Sequence, residues 1–291
     1  MLEGIIVKGI GGFYYVKVDD TIYECRARGL FRKNKTVPLI GDRVLIKINN
    51  EDNTGYVEHI FDRITELKRP PVSNVNQAVI VFAAQKPGPN LWLLDRFLLL
   101  ASFQGLDVVI CINKSDLDSD GEADMIYKIY KRAGYKIIKT SCKTKEGIDE
   151  IKDILKDKIT VFAGPSGVGK STLLNNVQSN LSLQTGSISE KTSRGKHTTR
   201  HVELIELDLG GWVVDTPGFS TLDIDFLEED ELEKYFIEIY NKSSFCKYSG
   251  CNHYKEPNCE VKKAVEIGEI SRSRYDNYLS MLQEIKRIRR Y

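Results

Sequence analysis

The hydrophobic pattern changes character twice along the chain. Up to about residue 64, apolar and polar positions alternate in short segments at 12–18, 22–27, 43–48 and 56–60. Asp19-Asp20, Gly41-Asp42 and the run 49–55 punctuate them. A period of two at that spacing predicts short strands of a small antiparallel barrel or sandwich. Arg69-Pro70-Pro71 then predicts a linker, because proline stops both a helix and a strand ladder. From about residue 76, apolar runs at 78–83, 107–112, 135–140 and 159–162 alternate with helix-like stretches at 91–103, 123–133 and 148–156. That alternation predicts a mostly parallel sheet with helices on both faces. Segments 201–209 and 212–214, joined by Gly210-Gly211, predict a hairpin. Past residue 224 the chain is acidic, then cysteine-rich, then helix-periodic through Ala264, Ile267, Ile270, Tyr275, Tyr278, Leu279, Leu282 and Ile285, which predicts one or two terminal helices. The expected division is 1–64, 65–223 and 224–291.

Length and composition agree with a folded multidomain chain: 291 residues, 41% hydrophobic and 29% charged, enough for two or three cores. The apolar run 91–103 is interrupted by Asp95 and Arg96 and is too short to cross a bilayer. Residues 1–12 lack a basic region followed by an apolar core, so the expected location is the cytoplasm, with no membrane partner. A net charge of +1 does not announce a nucleic-acid binder. Two local basic runs do stand out: Arg26, Arg28, Arg32, Lys33 and Lys35 without an intervening acid, and Lys286, Arg287, Arg289 and Arg290 at the end. Cys25, Cys111 and Cys142 are isolated, the latter two on apolar strand patterns, and read as buried thiols.

The chemistry concentrates in four motifs. Gly164-Pro165-Ser166-Gly167-Val168-Gly169-Lys170-Ser171, followed by Thr172, is a phosphate-binding loop between a strand and a helix. Its glycines let backbone N–H groups turn inward onto phosphates, Lys170 is placed to reach the β- and γ-phosphates, and the Ser171 hydroxyl suits Mg²⁺. Asn113-Lys114-Ser115-Asp116 follows the strand at 107–112. The Asp116 carboxylate can accept two hydrogen bonds from guanine, with Lys114 along the base and Asn113 bracing the loop. Adenine offers neither donor there. Ser141-Cys142-Lys143, after the next strand, suits the other side of the base. Asp215-Thr216-Pro217-Gly218 suits Mg²⁺ through Asp215 and γ-phosphate sensing through the Gly218 N–H. Gly195-Lys196-His197-Thr198-Thr199-Arg200 offers a threonine, Thr198 rather than Thr199, to close over Mg²⁺.

The base-reading motif lies 51 residues before the phosphate loop, the reverse of the usual GTPase order, so the domain reads as circularly permuted. Phe219 follows Gly218 where many GTPases carry a water-orienting glutamine, which predicts slow hydrolysis by the isolated chain; His197 is the internal candidate to orient water. An ATPase or kinase would need an adenine site, against Asp116. A module using GTP only as a structural ligand would show no turnover.

Cys246, Cys251, His253 and Cys259 supply three thiolates and an imidazole, enough for one closed, structural Zn²⁺ site. A disulfide reading leaves one thiol over. Taken together, these motifs and their order resemble the circularly permuted GTPases that depend on the small ribosomal subunit, the RsgA or YjeQ family. The resemblance implies an OB-fold for the first 64 residues, an architecture that often binds RNA. It also implies a role in late maturation of the small subunit, binding to its rRNA, and hydrolysis of GTP to GDP stimulated by the subunit. The family's switch histidine matches His197. Nothing in the sequence resembles a dimer seam, so a monomer is expected.

Overall fold

The computed structural model describes residues 1–29, 31, 36–49, 53–68, 70–178, 202–214 and 222–289. Strands β1 (Leu2–Ile10), β2 (Phe13–Val18), β3 (Thr21–Ala27), β4 (Arg43–Asn49) and β5 (Thr54–Ile60) close into a barrel in the order β1-β2-β3-β5-β4. All pairs are antiparallel except β3 with β5. This is the OB-fold arrangement, with Ile6, Val16, Cys25, Val44, Ile46 and Val57 fully buried inside. The sequence pattern does not reveal β1, because its register slips between Ile6 and Lys8. That bulge leaves consecutive Ile6 and Val7 both buried and destroys the alternation by which a strand is read.

Pro70 and Pro71 do not belong to a free linker, and Arg69 lies outside the described residues. Strands β6 (Glu66–Lys68) and β7 (Pro71–Ser73) form a hairpin in which Lys68 faces Pro71. Proline is tolerated as a first strand residue, where its missing N–H costs no ladder bond. The hairpin is fastened to the barrel by Asp42, which is fully buried. Its Oδ1 accepts from Arg63 Nε at 2.7 Å and Ser73 Oγ at 2.6 Å, and its Oδ2 accepts from Arg63 Nη2 and the Leu39 N–H, each at 2.7 Å.

The second sheet contains β8 (Gln77–Ala83), β9 (Asp107–Asn113), β10 (Lys136–Thr140), β11 (Ile159–Ala163), β12 (Leu204–Glu206) and β13 (Trp212–Val214), in the order β10-β9-β8-β11-β13-β12. Every pair is parallel except β12 with β13. Helices α1 (Leu91–Phe103), α2 (Glu122–Arg132), α3 (Ile148–Leu155) and α4 (Lys170–Val177) provide the crossovers. The permutation is visible at the junction of α3 and β11, where residues 156–158 suffice for the turn. Gln77 at the start of β8 donates to the Ile154 carbonyl at 2.6 Å and to Thr160 Oγ1 at 2.8 Å, pinning that join from inside.

After residue 222 come a 3-10 turn (Leu232–Tyr235), α5 (Ile237–Ser243), α6 (Glu260–Glu266) and α7 (Arg272–Ile288). Helix α1 is buried on both sides. Leu94, Leu98 and Ala101 join the core under the sheet, while Leu99 and Leu100 join the core of the C-terminal helices. Between them Arg274 is enclosed, 1% exposed, donating to Asp95 at 2.7 Å and to Glu238 at 2.6 and 2.9 Å. Tyr130 and Asn277 also donate to Asp95, each at 2.6 Å. Burial works against the Arg274 charge, but Asp95 and Glu238 outweigh it and hold its pKa well above the arginine range. Of the C-terminal basic run, Lys286 pairs with Glu229 and Arg289 with Glu228, in the acidic segment before α5, while Arg287 donates to the Gln283 carbonyl; Arg290 lies outside the described residues. Among the described residues, no helix is long and apolar enough to cross a membrane.

Removing one member of a buried ion pair strands its partner, at a cost of about 3–5 kcal/mol. Arg274→Met is therefore expected to lower the free energy of unfolding by that order, read as a fall in the urea midpoint at unchanged slope. The double variant Arg274→Met with Asp95→Asn should recover part of the loss.

Candidate functional site

The carboxyl edge of the parallel sheet is where doubly wound folds place their ligands. The phosphate loop leaves β11 there, and the base-reading loop leaves β9 on the far side of β8. Asn113, the last residue of β9 and 2% exposed, joins the two. Its Nδ2 donates to the Val168 carbonyl at 2.9 Å, and its Oδ1 accepts from Thr140 Oγ1 at 3.0 Å. The amide thus ties the phosphate loop, the base loop and the end of β10 into one unit.

Glycine is required where these segments cross. At Gly169, φ is +96°, and a Cβ there would lie 2.5 Å from Asn113 Nδ2. At Gly164, φ is +136°, and a Cβ would lie 2.1 Å from the Val81 carbonyl oxygen. Either contact is closer than atoms allow, and L residues avoid both backbone conformations. Lys114 also spans the loops, donating to the Gly167 carbonyl at 2.7 Å and to that of Lys86. The Lys86 contact comes from the turn between β8 and α1, a part of the site the motif pattern gives no sign of.

Asp116 is held by Ser141, whose hydroxyl donates to Asp116 Oδ1 at 2.6 Å and accepts from the Thr144 N–H at 3.1 Å. Ser115 Oγ donates to Glu146 at 2.7 Å. The two base-side segments are thereby locked with the Asp116 carboxylate pre-oriented. Cys142 and Lys143 follow in the turn beyond β10, so Cys142 is a partly exposed loop residue rather than a strand thiol.

Lys170 opens α4, and its ammonium donates to the carbonyls of Gly164 at 2.8 Å and Pro165 at 2.7 Å. Burial alone lowers its pKa to about 8. Ser171 and Thr172 occupy the first turn, the place for oxygen ligands to a hard cation and for N–H groups to an anion. His197, Thr198 and Thr199, and Asp215 and Gly218 of the motif after β13, lie outside the described residues.

The cysteine–histidine group comes together in space. Cys246, Cys251, His253 and Cys259 place one ligand atom each within 4.8 Å of all the others. Cys246 Sγ and Cys259 Sγ are 3.8 Å apart, the edge of a tetrahedron built on metal–sulfur bonds of about 2.3 Å. His253 Nδ1 lies 3.6 Å from Cys246 Sγ and 3.4 Å from Cys259 Sγ. Its Nε2 faces Glu233 at 2.9 Å, the carboxylate–imidazole arrangement that orients metal-bound histidines. Tyr275 donates to the His253 carbonyl at 2.7 Å and fixes the loop. Burial pushes the Cys251 thiol up to about 12, a cost that a bound dication reverses by favouring thiolate. The donor set fits one zinc ion. Glu233, 20 residues before His253, gives no signal in the sequence.

These features define a circularly permuted P-loop GTPase carrying a barrel on one side and a metal knuckle on the other. The family model described as RsgA GTPase matches residues 60–225, and the RsgA N-terminal domain matches residues 3–57. The chain is 52% identical over 292 residues to the small ribosomal subunit biogenesis GTPase RsgA of Alkaliphilus metalliredigens, covering 100% of both chains. It is 50% identical over 284 residues to the protein of the same name in Clostridium perfringens, covering 98% of each. Among solved structures, YloQ, a circularly permuted GTPase, superposes with a TM-score of 0.81 at 44% identity, covering 98% of this chain and 95% of that one. YjeQ from Thermotoga maritima gives 0.85 at 38% identity, covering 98% of each. The chain belongs to the RsgA GTPase family and is a GTP hydrolase.

Phosphates favour the charged form of Lys170, so nucleotide affinity should be flat below about pH 8 and fall as pH rises above it. Titrations from pH 7 to 9 check this, and Lys170→Arg, whose side chain stays protonated, should remove the decline. Metal analysis should find one zinc per chain. Cys259→Ser should lose that zinc and lower the thermal midpoint of the C-terminal helices.

Proposed function

We propose that the chain hydrolyses GTP to GDP and phosphate slowly alone and faster on the small ribosomal subunit, assists late maturation of that subunit, and leaves it after hydrolysis. The names of its relatives and the arrangement of its nucleotide loops both support this reading. The observation that carries it is the Asn113 bridge from the guanine-type loop to the phosphate loop, which suits one guanine nucleotide spanning both.

In this reading Asp116 accepts from guanine N1 and N2, Lys114 lies along the base, and Ser141, Cys142 and Lys143 close its other side. Backbone N–H groups from Gly164 to Lys170 surround the phosphates, and Lys170 moves from its loop carbonyls to the β- and γ-phosphates. Mg²⁺ bound with GTP neutralises charge on the transferring group; Ser171, Thr198 and Asp215 are the residues to hold it. Gly218 senses the γ-phosphate, and His197 orients the attacking water. Water adds to the γ-phosphorus as its bond to the bridging oxygen breaks, and GDP carries away the electron pair. Such a transfer needs positioning and charge stabilisation above all, so a chain without the usual glutamine gains most from a partner that orders its switch residues.

The three functional parts are 1–64, 65–223 and 224–291, with the first and last gripping rRNA in the GTP form. Zinc holds the last part together and takes no part in the reaction. The protein acts as a cytoplasmic monomer.

GTP turnover measured with and without purified small subunits tests the proposal, with Lys170→Ala as the blank. Turnover should rise strongly with subunits and vanish in the variant. Fast turnover indifferent to subunits would contradict it.

A further inference from the structure

The two base-side loops meet in a closed ring of contacts that includes Glu146, a residue outside the guanine motifs. Ser141 Oγ donates to Asp116 Oδ1 at 2.6 Å, reaching from the second loop to the first. Ser115 Oγ donates to Glu146 Oε2 at 2.7 Å, reaching from the first loop to the second. Ser115 and Asp116 are consecutive, and the Ser141 N–H donates to the Glu146 carbonyl at 3.1 Å, which completes the circle. The bond from Thr140 to Asn113 holds only the strand ends. A single further bond would leave one loop free to swing about it. Two bonds running in opposite directions fix the angle between the loops, and with it the direction of the Asp116 carboxylate.

The far side of the second loop is fastened as well. Lys145 donates to Asn176 Oδ1, and Asn176 Nδ2 donates to the Thr172 carbonyl on α4 at 2.7 Å. Glu146 stands between left-handed backbone at Lys145, φ +66°, and at Gly147, φ +67°. A lysine takes up that conformation only where surrounding contacts impose it, so the turn has one shape, and that shape brings Glu146 to Ser115. The Glu146 side chain is exposed, so it contributes nothing to a core.

We propose that Glu146 is a positioning residue for guanine and sets the preference for guanine over hypoxanthine. This rests on the reading, given above, that Asp116 accepts from guanine N1 and N2. Hypoxanthine keeps the N1–H and lacks the 2-amino group, so it meets Asp116 at one point where guanine meets it at two. A two-point contact demands that the carboxylate lie in the plane of the base, whereas a one-point contact tolerates a swing. Glu146 holds that plane through Ser115 and needs no contact with the nucleotide.

Affinities of the full-length protein for GDP, inosine diphosphate and ADP, measured by calorimetry, test this. Glu146→Ala should weaken GDP about fivefold, the worth of one hydrogen bond, with inosine diphosphate changed less than about twofold and ADP unchanged. Its thermal unfolding should match the native chain. Glu146→Gln keeps an acceptor oxygen and should bind GDP as the native chain does. Ser115→Ala should weaken GDP by the same factor as Glu146→Ala, and the double variant no further. Unchanged GDP affinity in Glu146→Ala, or an equal loss for all three nucleotides, would overturn the proposal. Asp116→Ala separates the proposal from the reading beneath it. If GDP binding collapses there and survives Glu146→Ala, the role of Glu146 alone is refuted. If GDP binding survives Asp116→Ala intact, both fall.

Discussion

One carboxamide, that of Asn113, joins the two loops on which nucleotide recognition depends. The base-reading loop and the phosphate loop come from different strands with β8 between them, and the side chain crosses that strand to reach Val168, 55 residues away in the chain. The crossing dictates its neighbours. Gly169 has no room for a Cβ, and Thr140 must offer a hydroxyl to the amide oxygen. A buried amide left half-satisfied would cost about 1–3 kcal/mol, which makes the joint a requirement of the fold as well as of the ligand. It also explains why circular permutation leaves the site intact. The loops are tied through space, so the order in which the chain visits them is immaterial once the three-residue turn at 156–158 closes the sheet.

The flanking parts are attached by polar contacts, buried at Asp42 and at Arg274 with Asp95 and partly exposed at the sheet edge. The barrel is fastened to the β6–β7 hairpin through Asp42 and meets the sheet edge through Lys8 with Glu203 and Lys17 with Glu206. Those glutamates lie on or beside β12, which follows in the chain the segment that carries His197 and Thr198. The C-terminal helices grip α1 through Arg274 and Asp95, and Arg96 adds a two-pronged contact to Glu284 at 2.6 and 2.7 Å. Helix α1 itself is capped by Asn90, four residues after the Lys86 carbonyl that receives Lys114. Both attachments therefore touch elements that adjoin the nucleotide loops.

Much of this was legible in the sequence, for physical reasons that differ by region. Parallel-sheet strands read as apolar runs because both their faces are buried, and the phosphate loop reads clearly because its glycines are forced by backbone geometry. The knuckle was visible because metal ligands admit few residue types. What escaped the pattern was set by tertiary contact. Strand β1 hides behind its bulge, β7 begins with a proline that only the fold makes acceptable, and α5 is too short to show periodicity. Asp95 and Arg96 look like interruptions of an apolar helix until Arg274 and Glu284 arrive from 179 and 188 residues away. Glu233 becomes meaningful only when His253 turns its Nε2 toward it. The basic run at the end of the chain stands out in sequence, but its pairing of Lys286 with Glu229 and of Arg289 with Glu228 depends on the fold.

The joint at Asn113 is tested most directly by measuring the affinity of Asn113→Ala for GDP and for ADP, which shares the phosphates but not the base. If the side chain holds both loops in place, GDP and ADP should each bind about tenfold more weakly or worse, because the phosphate loop loses its anchor at Val168. If ADP binds the variant as it binds the native chain while GDP alone weakens, Asn113 supports only the base loop and the coupling described above does not exist.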